Sequence, residues 1–133
     1  MQEIVMRPIG VIRSPHREQA EAPMQSLMDM DSAGEIELFE EYREGARDIA
    51  PGTWGLLVFH FHKSDGKYKL VTTSHRDGCE YGVFSTRSPF RPNGIGVSTV
   101  RFVDRAGNRI RFQGVDVLDG TPLLDIKPYE PGP

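Results

Sequence analysis

The sequence has 133 residues and a mass of 15.0 kDa, a length that suits one domain, residues 1–133, around a single hydrophobic core. Hydrophobic residues make up 38% and charged residues 26%, a balance that excludes wholesale disorder. Cys79 is the single cysteine, which excludes an internal disulfide and a multi-cysteine zinc site. Since the sequence has neither a long apolar run nor a signal peptide's pattern, we expect a soluble, cytoplasmic protein without a membrane partner.

Short apolar stretches separated by turn residues dominate the chain. Its 14 glycines and 10 prolines fall between these stretches, which is typical of an all-β protein. One short helix is predicted at 40–49, just before Pro51 and Gly52. Hairpin turns are predicted at Asp65–Gly66 and Gly107–Asn108, and the sheet should be mainly antiparallel and closed or folded. Strands are predicted at 7–13, 34–39, 54–62, 68–73, 81–85, 96–103, 109–117 and 123–126.

Charge is distributed unevenly, although the net charge is only −3. Residues 18–48 hold ten acids and two arginines, whereas residues 87–111 hold six arginines and one aspartate. Guanidinium groups suit an anionic ligand or partner. The alternative interpretation is that the two stretches pair with each other, within the fold or across a dimer. Net acidity argues against binding nucleic acid by bulk electrostatics, and DNA is not expected as a partner.

The histidine pair His60 and His62 would lie on one face of a strand, a spacing that metal sites in β-barrels use. A site of this kind needs a third ligand, for which His75 and Asp77 are the candidates. The interpretation we favour is structural: His60 packs in the sheet and His62 ends the strand, with no metal. A metal-dependent enzyme remains the alternative from a different chemistry.

Two segments combine turn residues with polar groups in a way that suggests a ligand site. In the first, residues 85–96, two prolines and two glycines frame Arg87 and Arg91 around Phe90, so a rigid loop can hold a ligand at low entropic cost. Its Asn93–Gly96 part precedes a strand pattern and not a helix, so it does not match a dinucleotide fingerprint. The second, 118–129, opens on an Asp-Gly-Thr-Pro turn that could address ribose or amine groups, or simply close the last strand.

These two segments, together with the opening 9–15 and residues 59–63, closely resemble the TsaA-like (TrmO, YaeB) family. The resemblance spans nearly the whole chain in four separated, correctly ordered motifs. It implies a small closed β-barrel with one short helix, usually a homodimer. It also implies a methyltransferase that binds S-adenosylmethionine and methylates N6-threonylcarbamoyladenosine beside the tRNA anticodon. A non-catalytic module that binds RNA or protein is a further alternative.

The resemblance also carries over individual residues as cofactor contacts. Separately, we expect Arg91 and Asn93 to face the substrate, and His62 and Asp119 are the candidates for the base that removes the N6 proton. Gly94 stands where the family usually has a proline, so this loop should be less rigid. The implied cofactor contacts are Pro23, Met24, Gln25, His62, Lys63, Arg87, Val97, Leu118, Asp119, Gly120 and Thr121.

Overall fold

The computed structural model describes residues 2–16 and 32–130. Within these ranges the regular structure is almost entirely β, with two short 3-10 helices at Glu40–Ala46 and Val83–Ser85. No helix in these two ranges is both long and apolar enough to span a membrane. The strands are β1 (Gly10–Arg13), β2 (Ala33–Leu38), β3 (Trp54–His60), β4 (Val71–Thr73), β5 (Glu80–Gly82), β6 (Ile95–Ala106), β7 (Arg109–Gln113) and β8 (Thr121–Pro128).

Six of the strands close into a barrel in the order β1–β2–β7–β6–β3–β8. Every pairing around the ring is antiparallel, and β8 returns to β1 to complete it. The two remaining strands, β4 and β5, form a separate hairpin within the long connection from β3 to β6. The predicted all-β, mainly antiparallel class is confirmed.

Alternating side chains fill the inside of the barrel. In β3 the buried positions are Gly55, Leu57 and Phe59, with partly exposed residues between them, as a half-buried strand requires. Glycines make room for large rings: a Cβ on Gly34 would lie 2.6 Å from the ring of Phe112. The fully or nearly fully buried core comprises Ile12, Ile36, Leu38, Ala46, Leu57, Phe59, Val100, Phe102, Ile110, Phe112, Val115, Val117 and Leu123.

The predicted helix at 40–49 is a 3-10 helix that ends at Ala46. Its backbone bonds span three residues, such as the bond from the Tyr42 N–H to the Phe39 carbonyl. Gly45 lowers its intrinsic helix propensity, and the segment is short enough for 3-10 geometry to persist. Burial of Ala46 in the core holds it against the barrel.

Several other predictions need correction. The strand predicted at 7–13 begins only at Gly10, and the strand predicted at 81–85 ends at Gly82, before the 3-10 helix Val83–Ser85. The strand predicted at 68–73 is reduced to β4, and the strand predicted at 109–117 ends at Gln113, because Gly114 adopts a positive φ of 92°. Asp65–Gly66 forms a turn but not a hairpin, since β3 pairs with β6 and β8 instead of β4. The hairpin at Gly107–Asn108 is confirmed, because it joins the paired strands β6 and β7.

The register places one end of four neighbouring strands together. β3 ends at His60, opposite Ile95 at the start of β6. On the other side of β3, β8 begins with Thr121, which pairs with Ile12 near the end of β1. This end of the barrel, called here the motif end, therefore receives the segments that adjoin those strand ends: 14–16, 61–63, 86–94 and 118–120.

Candidate functional site

A shallow pocket opens to solvent at the motif end. Apolar walls and charged groups meet in it, which is the usual composition of a small-molecule site. The rings of Phe59 and Phe61 pack edge to face, with their centroids 5.4 Å apart. The pocket is lined by Phe59, Phe61, His62, Lys63, Asp116, Val117, Leu118 and Thr121.

A tight turn before β8 builds one wall of the pocket. The hydroxyl of Thr121 donates to the Leu118 carbonyl at 2.6 Å, and the Thr121 N–H donates to the same oxygen at 3.3 Å. Gly120 closes the turn with a φ of 82°, a conformation that L side chains rarely adopt. Leu118 and Thr121, two of the predicted cofactor residues, therefore reach the pocket on a backbone held by its own hydrogen bonds.

Asp119 and Gly120, the middle residues of that turn, hold it against the end of β1. The Oδ1 atom of Asp119 accepts a hydrogen bond from the Ser14 N–H at 3.0 Å. The Asp119 N–H donates to the His16 carbonyl at 2.6 Å, and the Gly120 N–H donates to the Ile12 carbonyl at 2.9 Å. Asp119 is partly buried and does not line the pocket, so its observed contacts are those of a residue that positions the turn.

Arg91 folds the loop 86–94 onto itself. Its Nη1 donates to the carbonyls of Thr86 at 3.0 Å and Ser88 at 3.2 Å, so one edge of the guanidinium serves the loop. The Gly94 carbonyl accepts from the Phe61 N–H at 2.8 Å, which ties the loop to the segment that carries His62. Asn93, the other predicted substrate contact, is exposed at the loop's tip.

Arg87 and Val97, both predicted cofactor contacts, meet on the outside of the barrel. The Nη2 of Arg87 donates a short hydrogen bond to the Val97 carbonyl. Both residues are exposed, and neither lines the pocket. The structure thus divides the described cofactor candidates into a pocket group, with its supporting turn, and an outer pair. Pro23, Met24 and Gln25 lie outside the described residues.

The arginines that follow the loop are largely occupied within the sheet. Arg111 on β7 makes a bidentate, short ion pair with Asp104 on β6. Arg109 pairs with Glu35 at 3.0 Å and Glu37 at 3.7 Å, both on the neighbouring β2. Pairing between the acidic and the arginine-rich stretches is therefore the correct interpretation for Arg109, whereas Arg111 pairs with the aspartate of its own stretch. Neither arginine forms an open anion site.

His62 faces the pocket as a largely neutral base at neutral pH. Burial lowers the pKa of His62 below its usual 6.5, and the nearby Lys63 and His60 lower it further. An unprotonated imidazole can accept a proton from a ligand held in the pocket. Lys63 supplies a cation on the same wall, suited to a carboxylate or phosphate.

The described residues include no group of three or more histidine, cysteine or acidic side chains close enough to hold a metal ion. Asp77, one of the third ligands considered, accepts instead from Tyr81 and from the Cys79 N–H. The metal-dependent alternative therefore lacks a third ligand in this part of the chain.

Sequence analysis missed Asp116, which lines the pocket beside Lys63. It lies within the strand predicted at 109–117, where the pattern predicts that an acidic side chain faces solvent. It also missed Phe59, Phe61 and Val117 as pocket residues, because an apolar side chain carries no signal that separates a pocket wall from the core.

Comparison with known proteins bears on this site. The model of the tRNA-methyltransferase O N-terminal domain family matches residues 11–132. The chain belongs to this family. A probable S-adenosyl-L-methionine-binding protein of Pyrococcus abyssi is 48% identical over 128 residues, covering 96% of this chain and 69% of the relative. The Escherichia coli tRNA (adenine(37)-N6)-methyltransferase is 37% identical, covering 92% of this chain and 56% of that enzyme.

Solved structures agree with the family assignment. The crystal structure of TrmO from Pseudomonas aeruginosa superposes with a TM-score of 0.81 and 36% identity, over 98% of this chain and 57% of that one. The predicted resemblance to the TsaA-like (TrmO) family is thereby confirmed. This chain spans just over half the length of the E. coli enzyme and the P. aeruginosa structure.

Proposed function

We propose that this chain is an S-adenosylmethionine-dependent methyltransferase that modifies N6-threonylcarbamoyladenosine beside the tRNA anticodon. The observation that carries the proposal is the pocket at the motif end, where segments far apart in the sequence supply aromatic, cationic and anionic groups to one space. The names of relatives support the cofactor and the acceptor: one is called an S-adenosyl-L-methionine-binding protein and another a tRNA (adenine(37)-N6)-methyltransferase. We also propose that the protein acts in the cytoplasm and that residues 1–133 form a single domain.

The pocket residues fit the cofactor chemically. Phe59, Phe61 and Leu118 can flank an adenine, Thr121 offers a hydroxyl, and Lys63 can pair with the methionine carboxylate. Asp119 would keep the turn in place through Ser14, and Gly120 would let the chain reverse there. Arg87 and Val97 do not line the pocket, and in this proposal their hydrogen bond holds the loop against β6.

When bound, the cofactor supplies an electrophilic methyl group: the S–CH₃ bond breaks as the N–CH₃ bond forms, and the nitrogen gives up its proton. His62 is the base that accepts this proton, since it lines the pocket and its pKa is lowered. Asp119, the other candidate, would act only by positioning, because its carboxylate is engaged with Ser14 and lies off the pocket wall. The remaining contribution is orientation and exclusion of water by the aromatic wall.

The test is transfer of a labelled methyl group into bulk tRNA. Label should appear in the nucleoside derived from N6-threonylcarbamoyladenosine, and tRNA from cells that cannot make this nucleoside should stay unlabelled. His62→Gln should lower the rate, whereas His75→Gln, at an exposed histidine in the β4–β5 hairpin region, should not. Cofactor binding without any transfer would favour the non-catalytic module, and absence of cofactor binding would refute the proposal.

We also propose that the chain is a homodimer. The connection between β3 and β6 exposes several large apolar side chains: Phe84 is 76% exposed and Leu70 61%, and Tyr68 and Val71 are also open to solvent. Exposed apolar surface of this kind marks an association site, and a second copy of the chain would remove it from water. Phe84→Glu should therefore shift the mass measured by sedimentation from two chains to one. Tyr42→Glu, at an exposed aromatic of the first 3-10 helix, should leave two chains; equal mass for both variants would refute the interface.

A further inference from the structure

A buried serine orients a carboxylate on the pocket wall. Ser98 on β6 is only 2% exposed, and its hydroxyl donates a short hydrogen bond to Oδ1 of Asp116. Asp116 belongs to the segment between β7 and β8 and is partly buried. The pair therefore joins β6 to that segment at the level of the pocket.

The pair is costly for the fold alone. Ser98 lies between Gly96 and Val100 on the inward face of β6, where an apolar residue would pack without a polar group to satisfy. Holding a carboxylate partly away from water has a desolvation cost that a surface aspartate avoids. A buried polar pair at a position where an apolar residue would pack is typical of a site that serves a ligand.

The surroundings of Asp116 indicate what the ligand carries. The same pocket holds Lys63, while its remaining walls are mostly aromatic or aliphatic and include Phe59 and Phe61. A compound with both a carboxylate and a cationic centre presents a group of opposite charge to each of Lys63 and Asp116. Aromatic walls tolerate a poorly hydrated cation better than an anion.

We infer that Asp116, oriented by Ser98, recognises the cationic centre on the amino-acid side of the cofactor. This inference rests on the proposed function and assigns a residue to one end of the ligand. The cationic centre is either the sulfonium or the α-ammonium group, and both would be held by the same carboxylate. Asp116 thereby determines specificity for a cationic adenosyl compound over a neutral one.

Three ligands separate the possibilities in calorimetric titrations of the full chain. S-adenosylmethionine carries the sulfonium and the ammonium, S-adenosylhomocysteine carries only the ammonium, and methylthioadenosine carries neither. Asp116→Asn retains an acceptor for Ser98 and removes the charge. This substitution should weaken the binding of S-adenosylmethionine by about 10- to 100-fold, the usual effect of losing one charge-assisted contact. The affinity for methylthioadenosine should change by no more than about twofold.

The pattern across ligands identifies the group. Loss confined to S-adenosylmethionine assigns the sulfonium, whereas equal loss for S-adenosylhomocysteine assigns the ammonium; both support the inference. Ser98→Ala, which keeps the charge but not its orientation, should weaken the same ligands by a smaller factor. Asp125→Asn, at a partly buried carboxylate of β8 paired with Lys127, is the matched control and should change nothing.

Two results would overturn the inference. In the first, the Asp116→Asn protein binds all three ligands with the affinity of the wild type. In the second, the substitution weakens the binding of methylthioadenosine as much as that of S-adenosylmethionine, which indicates a structural role. A thermal melt of each unliganded variant checks that the barrel is intact. If the wild-type protein binds none of the three compounds, it is the proposed function that fails, and the two failures are thus distinguishable.

Discussion

Two glycines in the Asn93–Gly96 motif should respond very differently to the same added methyl group. A Cβ on Gly96 would lie 2.5 Å and 2.7 Å from two ring carbons of Phe59 and 2.6 Å from a ring carbon of Phe61. A Cβ on Gly94 would lie 3.6 Å from the nearest atom, an ordinary van der Waals contact. Gly96→Ala is therefore the perturbation, and Gly94→Ala is its matched control.

The expected magnitude follows from how far the rings must move. Carbon atoms pack at about 3.5–4.0 Å, so Phe59 and Phe61 would each have to retreat by roughly 1 Å in a closely packed barrel. Overpacking of this kind costs about 1–3 kcal/mol. With an unfolding entropy of about 2.1 cal/mol/K per residue, a chain of 133 residues should lose roughly 4–11 °C in Tm.

Thermal and urea denaturation measure this difference directly. The free energy of unfolding of Gly94→Ala should lie within about 0.5 kcal/mol of the wild-type value. It could also rise by up to about 1 kcal/mol, because alanine restricts the unfolded chain. Both displaced rings line the pocket, so Gly96→Ala should also weaken ligand binding. A Gly96→Ala protein as stable as the wild type, or a Gly94→Ala protein equally destabilised, would refute the reasoning.

Three other predictions follow from the contacts of the site and the sheet. Burial and then Lys63 lower the pKa of His62, so an NMR titration should find this pKa below 6.5, and Lys63→Gln should raise it. A histidine with a lowered pKa makes the folded protein less stable as the pH falls below about 6.5. His62→Gln should therefore make this loss of stability smaller. A hydrogen bond from Arg111 lowers the pKa of Asp104. The free energy of unfolding should therefore differ between the wild type and Arg111→Ala above about pH 4, and this difference should vanish as the pH falls through the lowered pKa. A difference that persists in strong acid would contradict this. Asp119→Ala should cost about 1 kcal/mol in urea denaturation by removing the acceptor for the end of β1, whereas Asp119→Asn should cost less; equal costs would show that the hydrogen bond is not the cause.

Local patterns predicted the strands well where one face of a strand is buried. β3 was expected at 54–62 and found at Trp54–His60, because alternation of buried and exposed residues is a property of the sequence itself. β6 was expected at 96–103 and extends to Ala106. The predictions were less accurate where burial is slight: β4 is three residues long, its side chains mostly face solvent, and apolar residues there do not report a core.

Within the candidate site, motifs indicated residues but not their roles. The charges of Arg91 and Asp119 suggested contacts with a ligand. Both side chains instead form hydrogen bonds with backbone groups of the protein itself. Arg109 and Arg111 suggested an anion site, and cross-strand partners occupy them instead. Partners of this kind are set by strand register, which one sequence does not reveal.

The amino-acid sequence by itself determined the β class of the protein, most of its strands and its membership of a family, since these depend on residue periodicity and on the order of motifs along the chain. The tertiary structure alone decided which motifs meet. Antiparallel pairing of β6, β3 and β8 brings residues more than 50 positions apart to one end of the barrel and places Asp116, an unremarkable residue of the sequence, on the pocket wall. Contacts between distant segments depend on how the sheet closes, and this is a property of the whole fold and not of any one stretch.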